Sequence, residues 1–163
     1  MEVGRDARLD VMRRGLLAAG VPTEHLDPFV SVTDEIVTTE SGWHPNGVAF
    51  DDSSYRGPEW LFGANNSRLM ADGRPYATPR GVAQLTPWMF ERYHVAGTPA
   101  DIFDPVASIA ALWRFIAAHF AVDLKTAAGL EQFHTVWFDH RHEWWWLTEL
   151  APFNPPQPRL PGY

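Results

Sequence analysis

Residues 105–120 contain apolar side chains at a spacing that places them in a stripe on one face of a helix. Only a helix with that face buried keeps all of them away from water. Asp104 followed by Pro105 supplies an N-cap and a favoured first helical residue. The apolar residues then recur at three- and four-residue intervals, which is the period of an amphipathic helix. They are Ile109, Leu112, Trp113, Ile116 and Phe120. Because such a stripe must be covered by other apolar faces, we expect a helical domain.

Further segments with helical spacing predict a mainly α fold. The predicted helices span residues 6–19, 24–40, 88–94 and 126–137. Gly20 and Gly42 stop the first two helices, and Thr86-Pro87 opens the third in the same way as Asp104-Pro105. In the last of them Leu130, Phe133 and Trp137 lie on one side.

Residues 44–79, between the second and third helices, lack periodicity and are rich in Asp, Ser, Asn, Gly and Pro. This stretch is too long for a plain connection, so we expect an irregular functional loop with a short β-hairpin. Residues 1–150 show no repeat or domain break and are predicted to form one domain. Residues 151–163 contain five prolines and are predicted to form an extended tail.

The composition excludes several classes of function. The 163 residues include 13 Lys and Arg against 20 Asp and Glu, a net charge of −7, so nucleic acid is not an expected partner. Cysteine is absent, which excludes disulfides, thiol nucleophiles and cysteine-ligated zinc. No apolar run approaches the roughly 20 residues of a membrane span, and no signal peptide is visible. We therefore expect neither a membrane partner nor secretory export.

Glu40 interrupts the apolar pattern of the second predicted helix. It lies seven residues after Thr33 and four after Ile36, so it continues their buried face. Partial burial and the negative end of the helix dipole would both raise the pKa of its carboxyl. A carboxyl that stays protonated near neutral pH can act as a general acid. The alternative is that Glu40 ends the stripe at the solvent edge.

Three blocks of sequence, in the same order, resemble the lysozyme-like lytic transglycosylases. Residues 40–46, Glu-Ser-Gly-Trp-His-Pro-Asn, are similar to the Glu-Ser-x-x-x-Pro-Asn motif of that family. Residues 80–87 resemble its Gly-hydrophobic-Met-Gln-hydrophobic-x-Pro segment, and residues 102–111 resemble its Phe-Asp-Pro helix start. The likeness spans residues 33–120 and is nearest to the transglycosylase domains of actinobacteriophage tail and lysis proteins.

This resemblance implies a lysozyme-like fold and cleavage of peptidoglycan between N-acetylmuramic acid and N-acetylglucosamine. Glu40 would protonate the glycosidic oxygen and then take the proton of the muramic 6-hydroxyl as it closes a 1,6-anhydro ring. The nucleophile is intramolecular, so neither a second carboxylate nor any cofactor is implied. Ser41 and Gln84 would hold the substrate. Tyr93 would line the cleft, or would instead be a half-buried core residue.

A hydrolytic variant would need a second carboxylate to position water. Asp51 and Asp52 follow Glu40 by eleven and twelve residues, and related goose-type lysozymes use an Asp at similar spacing. Asp52 is therefore a candidate second catalytic residue, and the alternative is a solvated turn. The choice between a lytic transglycosylase and a lysozyme-type hydrolase stays open.

The chain contains eight tryptophans, whose flat rings can stack on sugars. Trp43, Trp60 and Trp88 lie in or beside the loop and the motif blocks, so they are the better candidates for saccharide contact, and the alternative is packing in the core. Trp113 belongs to the apolar stripe instead. The His- and Asp-rich segment 134–143 has neither an HExxH pattern nor a pair of His four residues apart, so no metal site is predicted.

Two departures from the family pattern support a different function. Ala83 stands where the family has Met, and Ser108 where it has Asn. The alternative is a non-catalytic structural or wall-binding virion component that keeps the fold and docks through its proline-rich tail. The acidic net charge also suits a protein docked in an assembly. Under either hypothesis we expect a virion-associated protein, or one delivered to the bacterial wall, with other phage tail proteins as further partners.

Overall fold

The computed structural model describes residues 4–47, 69–74, 76 and 78–142. Over this part of the chain the fold is mainly helical, as predicted. Its α-helices are α1 (Arg5–Ala19), α2 (Leu26–Ser41), α3 (Pro87–Tyr93), α4 (Pro105–His119) and α5 (Leu130–His140). A 3₁₀ turn at Thr23–His25 leads into α2. Among these helices none has both the length and the apolar composition needed to cross a membrane.

The predicted helix starts of α3 and α4 are confirmed by their capping bonds. The Thr86 hydroxyl accepts the N–H of Met89 at 3.2 Å, and the Asp104 carboxylate accepts the N–H of Ala107 at 2.8 Å. Each cap is followed by a proline in the first turn. These bonds satisfy amide groups that have no partner within the helix.

Helix α5 begins later than the spacing predicts, at Leu130 rather than Thr126. The Asp123 carboxylate accepts the N–H groups of Lys125 and Thr126 at 2.8 and 3.2 Å, so these residues form a turn. A side chain that bonds nearby amides in this way competes with the helix. The predicted apolar side of α5 is correct, since Leu130, Phe133 and Trp137 are buried.

The segment predicted to contain a short β-hairpin, residues 44–79, lies largely outside the described residues. Among the described residues, Arg80 and Leu85 form an isolated antiparallel bridge. This bridge closes a tight turn, named here the 80–85 turn, just before α3. The turn is the part of the fold on which the candidate site depends.

Helix α4 forms the centre of the core. All five residues of its predicted stripe are buried, and Trp113 is fully inaccessible to solvent. Helix α1 lies so close to α4 that a Cβ atom on Gly15 would come within 2.8 Å of Ile109 Cγ2. The guanidinium of Arg114 donates to the carbonyl of Ala19 at 2.6 Å, at the C-terminal end of α1. Helices α1 and α4 are therefore joined by both packing and a hydrogen bond.

A buried hydrogen-bond relay joins α2 to α4. Trp113 Nε1 donates to Thr33 Oγ1 at 2.8 Å, and this hydroxyl donates to the carbonyl of Phe29 at 2.6 Å. The ring of Phe29 meets that of Trp113 edge-on at 5.0 Å. The relay therefore fixes α2, which carries Glu40, against the central helix.

Substituting Thr33→Val is expected to lower the free energy of unfolding by about 1–3 kcal/mol, because it leaves the buried Trp113 N–H without an acceptor. Thr33→Ser keeps the hydroxyl and is the matched control. Chemical denaturation of both variants measures the difference. A Val variant as stable as the Ser variant would contradict this role of the relay.

Candidate functional site

The C-terminal turn of α2 carries the two residues that open the first motif block. Glu40 is partly buried there and Ser41 is the last residue of the helix. Ser41 Oγ donates to the carbonyl of Val82 at 2.8 Å and lies 3.3 Å from the carbonyl of Val37. The bond to Val82 links the end of α2 to the 80–85 turn.

The 80–85 turn has an unusual backbone. Arg80 and Leu85 exchange two main-chain hydrogen bonds of 2.8 and 3.1 Å. Gly81 and Gln84 both have positive φ angles, of +77° and +53°. For a residue with a side chain this conformation costs about 1–2 kcal/mol, and such strained residues cluster at functional sites. The strained backbone of Gln84 therefore marks it as a candidate functional residue independently of the motif.

The side chain of Gln84 is buried and held in one orientation. Its Nε2 donates to the carbonyl of Gly47 at 3.1 Å and to that of Gly81 at 2.9 Å. The N–H of Gly81 donates to the same Gly47 carbonyl at 2.9 Å. The amide is thus fixed through its nitrogen, and its oxygen can accept an N–H or O–H from a ligand.

Ser108, which replaces the Asn of the family pattern, also contacts the 80–85 turn. It lies in the first turn of α4 and is fully buried. Its Oγ accepts the N–H of Ala83 at 3.4 Å. The turn is therefore held by α2 on one side, through Ser41, and by α4 through Ser108.

An ion pair between Asp72 and Arg80 anchors the turn from the preceding segment. Arg80 Nε donates to Asp72 Oδ2 at 2.5 Å, and Nη2 donates to Oδ1 at 2.8 Å. The Arg80 side chain is only 2% exposed and that of Asp72 is 26% exposed. The hydrogen bonds from Arg80 outweigh desolvation and lower the pKa of Asp72 from 3.8 to about 2. The sequence analysis did not predict this ion pair. The sequence signal that points to it is an Asp-Gly turn eight residues before an arginine.

This pKa shift predicts acid sensitivity with a defined sign. Asp72 is a group whose pKa falls on folding, so its ion pair stabilises the protein fully above its unfolded pKa of 3.8. The contribution is lost as the pH falls through about 2, where the folded protein binds the proton as well. We expect the difference in unfolding free energy between the native protein and Asp72→Asn to be constant above about pH 5 and to shrink between about pH 4 and 2. A difference that stays unchanged down to pH 2 would contradict the pairing.

The prediction that Trp43 contacts saccharide is wrong for this structure. Trp43 is fully buried, and its Nε1 donates to Asp34 Oδ1 at 2.9 Å. The guanidinium of Arg8 lies over its ring, 5.5 Å from the centroid. Trp88 is also buried, with only 6% of its surface exposed. Both rings pack as core residues, because the chain reverses at Trp43 and the first turn of α3 faces inward.

Tyr93 is a half-buried residue packed between α3 and α4. Its hydroxyl is hydrogen-bonded to Nε2 of His119, and its ring meets Phe115 edge-on at 5.6 Å. Burial raises the pKa of this phenol. These contacts favour the core interpretation of Tyr93 over a substrate contact. Asp52 and Trp60 lie outside the described residues.

A cavity of about 670 Å³ lies between the 70–80 segment, α3 and residues 100–103. It shares Arg80 with the 80–85 turn, and Tyr76, Phe90 and Phe103 form part of its wall. Two further cavities, of about 590 and 330 Å³, lie along α1 and α2 and between α2 and α5. Glu40 is absent from the described lining of all three. In the described part of the chain, no three His, Asp or Glu side chains cluster as metal ligands would.

The site therefore consists of the C-terminal turn of α2, the 80–85 turn and the Asp72–Arg80 ion pair. Two of the three sequence blocks, those of Ser41 and Gln84, meet there, and Ser108 of the third supports the turn. Comparison with protein-family models, curated proteins and solved structures gave no match.

Proposed function

We propose that this chain has a lysozyme-like fold and cleaves the glycan strand of peptidoglycan between N-acetylmuramic acid and N-acetylglucosamine. Glu40 is the general acid and base. The observation that carries the proposal is the hydrogen bond of 2.8 Å between Ser41 Oγ and the carbonyl of Val82. It joins two motif blocks whose bonded residues are 41 positions apart in sequence. Two motif blocks that the sequence groups only by resemblance to a family are therefore also in contact with each other, and this contact supports the proposal.

The place of Glu40 supports its role in proton transfer. Its side chain is partly buried in the last turn of α2, directly before Ser41, which bonds to the 80–85 turn. Glu40 gives a proton to the glycosidic oxygen as the bond to the muramic C1 breaks. In transglycosylation it then accepts the proton of the muramic 6-hydroxyl, whose oxygen bonds to C1. In hydrolysis a water takes the place of that hydroxyl, and Asp52 is the candidate for positioning it.

Gln84 is suited to holding an N-acetyl sugar. Its Nε2 is engaged with two main-chain carbonyls, so Oε1 is the atom with which the side chain would accept a hydrogen bond from the sugar. The acetamido N–H present on both sugars of the strand is a suitable donor. No metal or organic cofactor has a part in this scheme, and the glycan strand is the partner. We propose that the wall is reached inside a phage particle or during phage-assisted lysis.

The proposal is tested by incubating the purified full chain with actinobacterial sacculi and measuring soluble muropeptides. We expect release that increases with time and enzyme concentration. Absence of release from sacculi of several wall chemotypes would contradict the enzyme hypothesis and favour the non-catalytic virion component.

A further inference from the structure

The segment before the 80–85 turn is folded around one guanidinium group. Besides its two bonds to Asp72, Arg80 donates from Nη1 to the carbonyl of Thr78 at 2.7 Å and from Nη2 to that of Arg74 at 3.1 Å. The N–H of Arg74 in turn donates to Asp72 Oδ1 at 2.9 Å. The described residues of the 72–78 segment thus surround a charged group that is almost completely buried.

The same residue fixes the turn that carries Gln84. The main chain of Arg80 forms both bonds of the bridge to Leu85, and Gln84 lies between these two residues. Any rotation of Arg80 therefore tilts the bridge and moves Gln84 relative to Gly47 and the end of α2. The Asp72 carboxylate is thus linked through Arg80 to the turn in which Gln84 lies.

Stability alone does not explain an ion pair at this position. A buried charged pair often stabilises a fold no more than apolar residues of the same volume would, because both charges lose hydration. What the pair does provide is direction, since a planar guanidinium bonded to both oxygens of one carboxylate has a fixed orientation. The geometry here therefore favours a role in orientation.

We propose that Asp72 is a positioning residue for substrate binding, which acts through Arg80 on Gln84. This inference rests on the proposed function, because it assigns Asp72 to the same site. Asp72 itself needs no contact with the sugar. Its carboxylate determines where the Gln84 oxygen lies when the glycan strand binds.

The test is a double-mutant cycle on soluble, uncross-linked glycan strands, well below the melting temperature of every variant. Asp72→Asn keeps the size of the side chain but removes the charge and one acceptor. We expect it to lower kcat/KM about 10-fold, mainly through KM, which is the effect of one well-placed hydrogen bond. In the Gln84→Ala background, the same Asp72→Asn change should alter kcat/KM less than about twofold. Asp72→Glu, which can still pair with Arg80, should recover part of the activity.

Phe133→Leu provides the stability control. Phe133 is 1% exposed and packs between Trp113 and Phe120, so its truncation weakens the core without changing the ion pair. It should lower the melting temperature while leaving KM unchanged. Equal losses from Asp72→Asn with and without Gln84, or an equal rise of KM in Phe133→Leu, would overturn the positioning role. Failure of the proposed function is distinguishable, because the native chain would then be inactive.

Discussion

Substituting Glu40→Gln is expected to lower the rate of glycan cleavage by about 10²- to 10⁴-fold, the usual contribution of a general acid or base. The amide has the shape of the protonated carboxyl but can neither give up nor accept the proton. Because Gln has nearly the size of Glu and the site is only partly buried, the variant should still fold. Release of soluble muropeptides from sacculi measures the loss.

Glu35→Gln is the matched control for this prediction. Glu35 lies on the same helix, and the substitution changes charge and shape in the same way. Its Oε2 pairs with Nε2 of His134 at 2.6 Å, and its side chain is 45% exposed. Loss of an exposed pair costs about 0–1 kcal/mol and no activity. If the two variants lose activity equally, Glu40 has no special role.

Substituting Gly81→Ala is expected to destabilise the protein by about 2–4 kcal/mol. The φ angle of +77° is unfavourable for alanine, and the added Cβ would overlap the carbonyl of Ile102. Since that carbonyl belongs to the backbone, the clash is relieved only if the 80–85 turn moves away from residue 102. The melting temperature should fall by about 5–15 °C for a chain of this size.

Gly73→Ala separates the steric clash from the backbone strain. Gly73 has nearly the same φ angle, +78°, but a Cβ atom added there would meet no heavy atom of the described residues within 4 Å, its chain neighbours aside. Only the strain remains, and it should cost about 1 kcal/mol. Thermal unfolding of both variants gives the comparison. Equal destabilisation by the two substitutions would contradict the close contact between Gly81 and Ile102.

The helices could be predicted from local sequence signals, because the interactions that begin a helix are made between residues close together in the chain. Thr86-Pro87 and Asp104-Pro105 each determine a helix start within four residues, because a side-chain oxygen caps amides nearby. The later start of α5 shows the limit of periodicity. Its helical spacing extends back to Thr126, but the Asp123 carboxylate accepts the amides of Lys125 and Thr126 and holds these residues in a turn.

The candidate site was predictable only where it depends on local pattern. Glu40, Ser41 and Gln84 follow from motif blocks, whereas the Asp72–Arg80 pair depends on how an aperiodic segment folds back on itself. Trp43 was misjudged for a related reason. An aromatic residue beside a motif is compatible with either a ligand or the core, and only its burial distinguishes these roles.

The most direct test of the central claim is mass spectrometry of the fragments that the native chain releases from sacculi. We predict new ends at the muramic C1, either as 1,6-anhydro-N-acetylmuramic acid or as a reducing N-acetylmuramic acid. The anhydro end identifies a transglycosylase and the reducing end a hydrolase. Fragments with intact glycan and cut peptides, or with N-acetylglucosamine at the new reducing end, would contradict the claim.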